Sequence, residues 1–139
     1  MTNIFLSHSS NDKERFVSLV AEELKRNPKY YTIWYYDRLL EGCNYPMDIF
    51  LEKLHQTDLF VVFISHDSLS SSFVKREIDL AIELHKNGII SEILPLIIDP
   101  NLNPNLDNRI PNYLKKDKLI YVNTPKNAIL LIEEYCSNL

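Results

Sequence analysis

Apolar residues recur along this chain in two alternating rhythms. Short runs without polar interruption alternate with longer stretches in which apolar positions return every three or four residues, the marks of buried strands and amphipathic helices. Asn3 to Ser7 predicts a short buried strand. Asp12 to Arg26 predicts a helix with Phe16, Leu19, Val20 and Leu24 inward, capped by Asn11 or Asp12 and stopped by Pro28. Tyr31 to Tyr35, aromatic and β-branched, predicts a second strand. Tyr36 to Tyr45 is a loop; Pro46 then takes a first helical position and opens a helix to about Gln56, with Met47, Phe50, Leu51 and Leu54 as its stripe.

Leu59 to Ile64 is apolar at every position. A run without alternation belongs to a strand covered on both faces, as in the middle of a parallel sheet. Ser71 to Lys86 predicts a helix that buries Val74, Ile78, Ala81 and Ile82 and is closed by Gly88. Ile93 to Ile98 predicts a fourth strand, in which Pro95 cannot donate to a ladder and points to an edge position or a bulge. Asp99 to Asn112, with Pro100, Pro104 and Pro111, is a long loop, and Leu119 to Val122 a short fifth strand. Thr124 caps a last helix with Pro125 at its first position and Leu131, Ile132 and Tyr135 inward.

Five such strand–helix units imply an α/β fold: a flavodoxin-like, doubly wound, five-stranded parallel sheet of order 2-1-3-4-5 with helices on both faces. The 139 residues form one domain, 1–139, with no internal repeat and enough chain for one core. Ligands of such sheets bind beyond the carboxyl ends of the strands at the switch point, here between strands 1 and 3. Strand 1 runs into Ser7-His8-Ser9-Ser10 and strand 3 into Ser65-His66-Asp67-Ser68. Both turns are expected to offer hydroxyls, backbone N–H groups and helix dipoles to a phosphate.

Composition narrows the function classes. Hydrophobic residues at 45% and charged residues at 24% fit a soluble globular protein. A net charge of −4 weighs against phosphate-backbone binding, and the tyrosines around Tyr30, Tyr31, Tyr35 and Tyr36 have no basic stripe beside them, so no direct nucleic-acid binding is expected. No apolar run reaches the roughly 18 residues of a membrane span, and Met1 to Leu6 lacks the basic start of a signal peptide, so a cytoplasmic location without membrane attachment is expected. Cys43 and Cys136 form no CxxC; two free thiols are expected, with a single bridge between them left open. Gly42 and Gly88 are the only glycines, which excludes GxGxxG and P-loop nucleotide sites.

Glu77 is the residue these exclusions leave in view. It lies one turn into the helix after strand 3, where a side chain can face the switch-point crevice, and Phe73 lies four residues earlier on the same helical face. An acid beside an aromatic ring suits a flat, cationic heterocycle. The plainer alternative is a solvated helix charge beside a core phenylalanine. Phosphoryl-accepting receivers share the architecture but need acids directly after strand 1 and at the end of strand 3, where this chain has Ser7, His8 and Ser65. Neighbouring Ser–His pairs without a GxSxG elbow do not make a hydrolase. His8, His55, His66 and His85 show no metal-ligand spacing, so no metal is expected.

The ordered pieces resemble a Toll/interleukin-receptor (TIR) domain. Ile4-Phe5-Leu6-Ser7-His8-Ser9-Ser10-Asn11-Asp12 resembles the family's first box. Trp34-Tyr35-Tyr36-Asp37, with Gly42 five residues on, resembles the second strand and the BB loop. Leu59 to Ser65 and Ser71 to Glu77 resemble the third strand and the helix bearing Ser-x-Trp-x-x-x-Glu, with Phe73 in place of tryptophan. Phenylalanine keeps a π face there with less area.

The resemblance implies a fork. Many bacterial and plant TIR domains cleave NAD+ at the nicotinamide–ribose bond, whereas many animal receptor and adaptor TIR domains only associate with one another. The short serine-rich box and the Trp-x-x-Asp loop, Trp34 to Asp37, resemble the bacterial kind, and Glu77 matches the glutamate that NAD+-cleaving members carry in the helix after strand 3. On that resemblance Glu77 is the expected catalytic acid; Phe5 and Phe73 would pack nicotinamide or ribose. Ser7, His8 and Ser9 would hydrogen-bond ribose or amide, and Arg38 would contact phosphate. NAD+ is then a substrate and no cofactor is expected. The family also implies homo-oligomeric assembly through the BB loop, here Asp37, Leu39, Leu40 and Gly42, in bacterial immune or antiphage signalling. The chain is expected to be a module excised from a longer protein or one recruited by a separate sensor. The alternatives are a non-catalytic TIR–TIR scaffold and an effector that binds host TIR adaptors.

Overall fold

Six consecutive apolar side chains leave β3 (Leu59–Ile64) no face to offer water, and all six are buried. The computed structural model describes residues 1–35, 47–116 and 119–139. There β3 is central, paired in parallel with β1 (Thr2–Ser7) on one side and β4 (Glu92–Ile97) on the other. β2 (Tyr31–Trp34) flanks β1, and β5 (Ile120–Tyr121) flanks β4, giving the order β2-β1-β3-β4-β5. All pairs are parallel, so every connection crosses the sheet through a helix or loop.

Strand alternation divides the core in two. Leu59, Val61 and Phe63 join Ile4, Leu6, Leu94 and Leu96 against α1 (Ser18–Lys25) and the last helix, α6 (Pro125–Ser137). Phe60, Val62 and Ile64 join Phe5, Ile93 and Ile97 on the opposite face. That face is covered by α2 (Met47–His55), α4 (Ser72–Lys86) and α5 (Asn112–Lys116). The short α3 (His66–Leu69) leads from β3 into α4. Because odd-numbered positions of β1 face α4, Ser7 at its carboxyl end faces α4 as well.

Several local expectations are corrected. The helix before Pro28 starts irregularly, with a 3-10 turn at Ser10–Asp12 and a π turn at Lys13–Val17 before the α-helix proper. Neither Asn11 nor Asp12 caps it; the Asp12 side chain turns inward instead. Its buried stripe is Phe16, Val17, Val20, Ala21 and Leu24, and Leu19 is 48% exposed on the outer side. Pro95 lies on an internal strand, and the β3–β4 register runs through it without a bulge. Ile98 N–H donates to Ile64 and Ile97 O accepts from Val122, so alternation aims Pro95 at the β5 side. The paired stretch of β5 begins only opposite Leu96, so the missing N–H breaks no ladder bond described here.

The helix ends follow their sequence signals. Ser71 Oγ accepts from Val74 N–H at the start of α4, and Thr124 Oγ1 accepts from Asn127 N–H at the start of α6, ahead of Pro125. Gly88 ends α4 with φ of 78°, and a Cβ there would meet nothing within 4 Å. The cost of Gly88→Ala is therefore confined to the backbone: a loss of about 1–2 kcal/mol of stability is expected from the left-handed conformation. Urea unfolding measures it, and a wild-type midpoint would show that the turn relaxes around alanine.

Candidate functional site

The carboxyl ends of β1 and β3 carry the polar groups that the strands themselves exclude. Ser7 follows Phe5 on the α4 face of β1 and comes to rest beneath α4. The centre of the α4 inner face is Val74, Ile78 and Ala81; Glu77 lies on the flank of that stripe, facing β1. Ser7 Oγ–H donates to Glu77 Oε1 over 2.8 Å, joining residues seventy apart. Glu77 is 1% exposed, so the reading of a solvated helix charge is wrong. An ionised carboxylate in such a place needs hydrogen-bond donors, and a hydroxyl aimed at one oxygen supplies part of that need.

Phe5 lies below this pair, 1% exposed. Its ring packs against Trp34 at 4.7 Å and Phe60 at 5.3 Å between centroids, with Phe50 edge-on at 5.9 Å. Protein neighbours thus take up Phe5, which serves as the floor of the crevice. Phe73 stands one turn before Glu77 on the same flank and is half-buried. His8 is buried, with Nδ1 3.2 Å from Leu6 O and its ring edge-on to Tyr35 at 5.5 Å. Arg38, Asp37, Leu39, Leu40 and Gly42 lie outside the described residues, as does Cys43. Cys136 is a free, half-buried thiol that burial pushes up to about 11.

Ser9 donates to Asp12 rather than facing outward, over 2.9 Å to Oδ2. The same oxygen accepts Ser65 Oγ–H over 2.6 Å from the end of β3. Sequence reasoning missed this role for Asp12, because an acid near a helix start reads as a cap. The turn after β3 is likewise already satisfied. Ser65 N–H donates to Ser68 Oγ at 2.8 Å and Ser68 N–H to Ser65 Oγ at 3.0 Å, while His66 N–H meets Asp99 Oδ2 at 3.3 Å. These three amides are not left for a phosphate, contrary to the expectation for that turn.

A second polar cluster lies on the β4 side of α3. Arg109 donates to Asp107 Oδ2 at 2.8 Å, to His66 Nδ1 at 2.9 Å and to Ser70 Oγ at 3.1 Å. Hydrogen bonding from Arg109 holds the Asp107 carboxyl down at about 2. A cavity of about 340 Å³ borders it, between Lys75, Ile78 and Asp79 of α4 and Leu69, Arg109 and Pro111. Neither Ser7 nor Glu77 lines that cavity, so it is separate from the crevice. Among the described residues no group of three His, Cys, Asp or Glu side chains is placed to hold a metal ion, and no helix is long and apolar enough to cross a membrane.

A doubly wound parallel sheet with an acid buried against the switch-point serine defines a flavodoxin-like α/β domain with a polar centre at its crevice. The sequence profile described as "TIR domain" matches residues 4–127. The chain belongs to the TIR domain family. No curated protein matches it by sequence. Among solved structures it is similar to the TIR domains of the activated Roq1 resistosome directly recognising the pathogen effector XopQ, with a TM-score of 0.61 at 18% identity over 76% of this chain. It spans only 61% of that Roq1 chain. It is also similar to the TIR domain of the Toll-related receptor TRR-2 from Hydra magnipapillata, with a TM-score of 0.65 at 10% identity over 97% of this chain and 95% of that one. At these identities the likeness is one of fold.

Removing the Ser7 hydroxyl isolates the contact at the crevice. Ser7→Ala withdraws a donor from a buried carboxylate, for which a loss of about 1–3 kcal/mol is expected. Denaturant unfolding measures it. An unchanged midpoint would mean that the other surroundings of Glu77 suffice to hold it.

Proposed function

We propose that this domain is an NAD+ nucleosidase of bacterial immune or antiphage signalling, latent as a monomer and activated by self-assembly. The observation that carries the reading is the placement of Glu77: an acid in the helix after β3, held by Ser7 at the switch-point crevice. The chemistry needs little more than one such acid. The bonding pair between ribose C1′ and the pyridinium nitrogen leaves with nicotinamide, which departs neutral and requires no protonation. Ordinary glycoside hydrolysis, by contrast, uses two carboxylates. What remains is an oxocarbenium-like ribose, and a carboxylate beside it stabilises the developing positive charge. Water then bonds to C1′ and loses a proton, giving ADP-ribose. A nucleophile of the substrate's own adenosine part gives a cyclic isomer instead.

Phe73, one turn before Glu77, is the ring proposed to pack the nicotinamide, and Ser7 and His8 the groups nearest the ribose; Ser9, whose hydroxyl proton goes to Asp12, is left only its oxygen lone pairs for such a contact. Arg38 is proposed for the phosphates. With Glu77 only 1% exposed, substrate reaches it after the crevice opens, which is why activity is tied to assembly. The Roq1 TIR domains belong to an activated resistosome, which supports that link. The same covered acid is the one observation that favours the second reading, a TIR–TIR scaffold without catalysis.

Nicotinamide release from concentrated protein supplied with NAD+ separates the two. Glu77→Gln keeps the size and removes the charge, and a loss of about 10²-fold or more in turnover is expected. A variant that turns over like wild type would remove Glu77 from the chemistry. No nicotinamide from an assembled wild-type sample would leave the scaffold reading.

Assembly is tested through the BB loop. Leu39→Asp with Leu40→Asp places two charges on the proposed contact, and burying unpaired charge there opposes association. The specific activity of wild type is expected to rise with protein concentration while that of the variant stays low, with light scattering followed over the same series. Full activity from a particle that stays monomeric would show that the domain works alone.

A further inference from the structure

We infer that Asp12 is a positioning residue for this site: it locks the turn after β1 to the α3–α4 unit that carries Glu77. The inference rests on the nucleosidase reading for its catalytic consequence and on the geometry for the rest. Asp12 is 0% exposed, a place where an acid persists only if its oxygens are answered. Oδ2 accepts from Ser9 at 2.9 Å and from Ser65 at 2.6 Å; Oδ1 meets Arg15 Nη2 at 3.4 Å, at the protein surface. Ser9 lies two residues beyond Ser7, the donor to Glu77. Ser65 Oγ also accepts from Ser68 N–H at 3.0 Å and so caps α3.

These bonds close a ring through the crevice. It runs from Glu77 to Ser7, along the turn to Ser9, across Asp12 to Ser65, and through α3 and α4 back to Glu77. The α3 segment is only four residues long, too short to hold a helical turn by itself, and therefore depends on its cap. Asp12 also stands directly before the π turn at Lys13–Val17, a distortion that often accompanies functional sites. One carboxylate thus fixes both flanks of the crevice without lying on the Ser7–Glu77 contact.

Asp12→Ala and Asp12→Asn separate this role from general stability. Alanine removes the shared acceptor; an asparagine Oδ1 in place of Oδ2 can still accept both hydroxyls. In Asp12→Ala, amide hydrogen exchange at Ser68 and Leu69 is expected to speed up by about tenfold or more while β3 keeps its protection, the effect of losing a charge-assisted bond at one place. Nicotinamide release is expected to fall in kcat by about tenfold with KM nearly unchanged, and Asp12→Asn to recover both readouts to within about threefold.

Wild-type exchange at Ser68 and Leu69 in Asp12→Ala would overturn the inference. So would an asparagine variant as impaired as alanine, or altered exchange with wild-type kcat. Should Asp12→Ala fail to fold, Ser65→Ala breaks the link from the other side; because it also removes the Ser68 cap directly, its readout is the Asp12 amide, bonded to Ser9 O in the turn after β1, whose exchange must speed up, and wild-type exchange there overturns the inference equally. If wild type releases no nicotinamide, the nucleosidase reading fails, whereas the exchange comparison still decides whether Asp12 couples the two loops.

Discussion

The constraint on which the rest of this structure depends is the burial of β3 on both faces. Six apolar side chains, Leu59 to Ile64, leave no polar atom inside the strand except the backbone, and the backbone is satisfied by β1 and β4. Parallel neighbours require crossovers, and crossovers place α1 and α6 on one face and α2, α4 and α5 on the other. Polar side chains are thereby pushed to the strand ends. Ser7 and Ser65 are the first polar residues after β1's apolar stretch and after β3, and both are buried where the connections diverge. The crevice is polar because the sheet beneath it is not.

At that crevice two acids are buried, and each is answered by serine. Glu77 takes one hydroxyl and Asp12 takes two. Serine suits the place because it donates without bringing a charge of its own and is small enough for the closed strand ends. Asp12 is also approached by Arg15 at the surface, so its serine bonds are the part of its setting that lies inside the crevice. Apolar residues could fill either position at less cost in solvation. The proposed roles give a reason for the acids: Glu77 would act toward a positively charged ligand and Asp12 toward the geometry of the loops.

The layout of strands and helices was legible in the sequence because it is written in periodicity. The apolar run of β3, the proline after Thr124 and the glycine after α4 each act through local backbone physics, and each element fell where those signals put it. What escaped depended on contacts between distant segments. Asp12 reads locally as a cap and becomes a buried acceptor only because Ser65, 53 residues away, arrives beside it. Glu77 reads equally well as a solvated charge until Ser7 is brought to it. The amides after β3 looked free for phosphate because no periodicity announces Ser68 or Asp99 as their partners. Leu19 was misplaced for a smaller reason: Val17 and Ala21 complete the inner stripe once the π turn sets the phase, leaving Leu19 outside.

The choice between enzyme and scaffold turns on where the acid lies. A fold likeness at 10–18% identity says nothing about it, because the same sheet serves both kinds of TIR domain. An association surface is built from exposed side chains, and a carboxylate inside the fold contributes nothing to it directly. A catalytic acid is different: burial strengthens its field on a bound cation, since less water screens it. On the proposed nucleosidase reading the same burial shuts substrate out of the resting domain, and the acid beside Ser7 would be in place before access to it is.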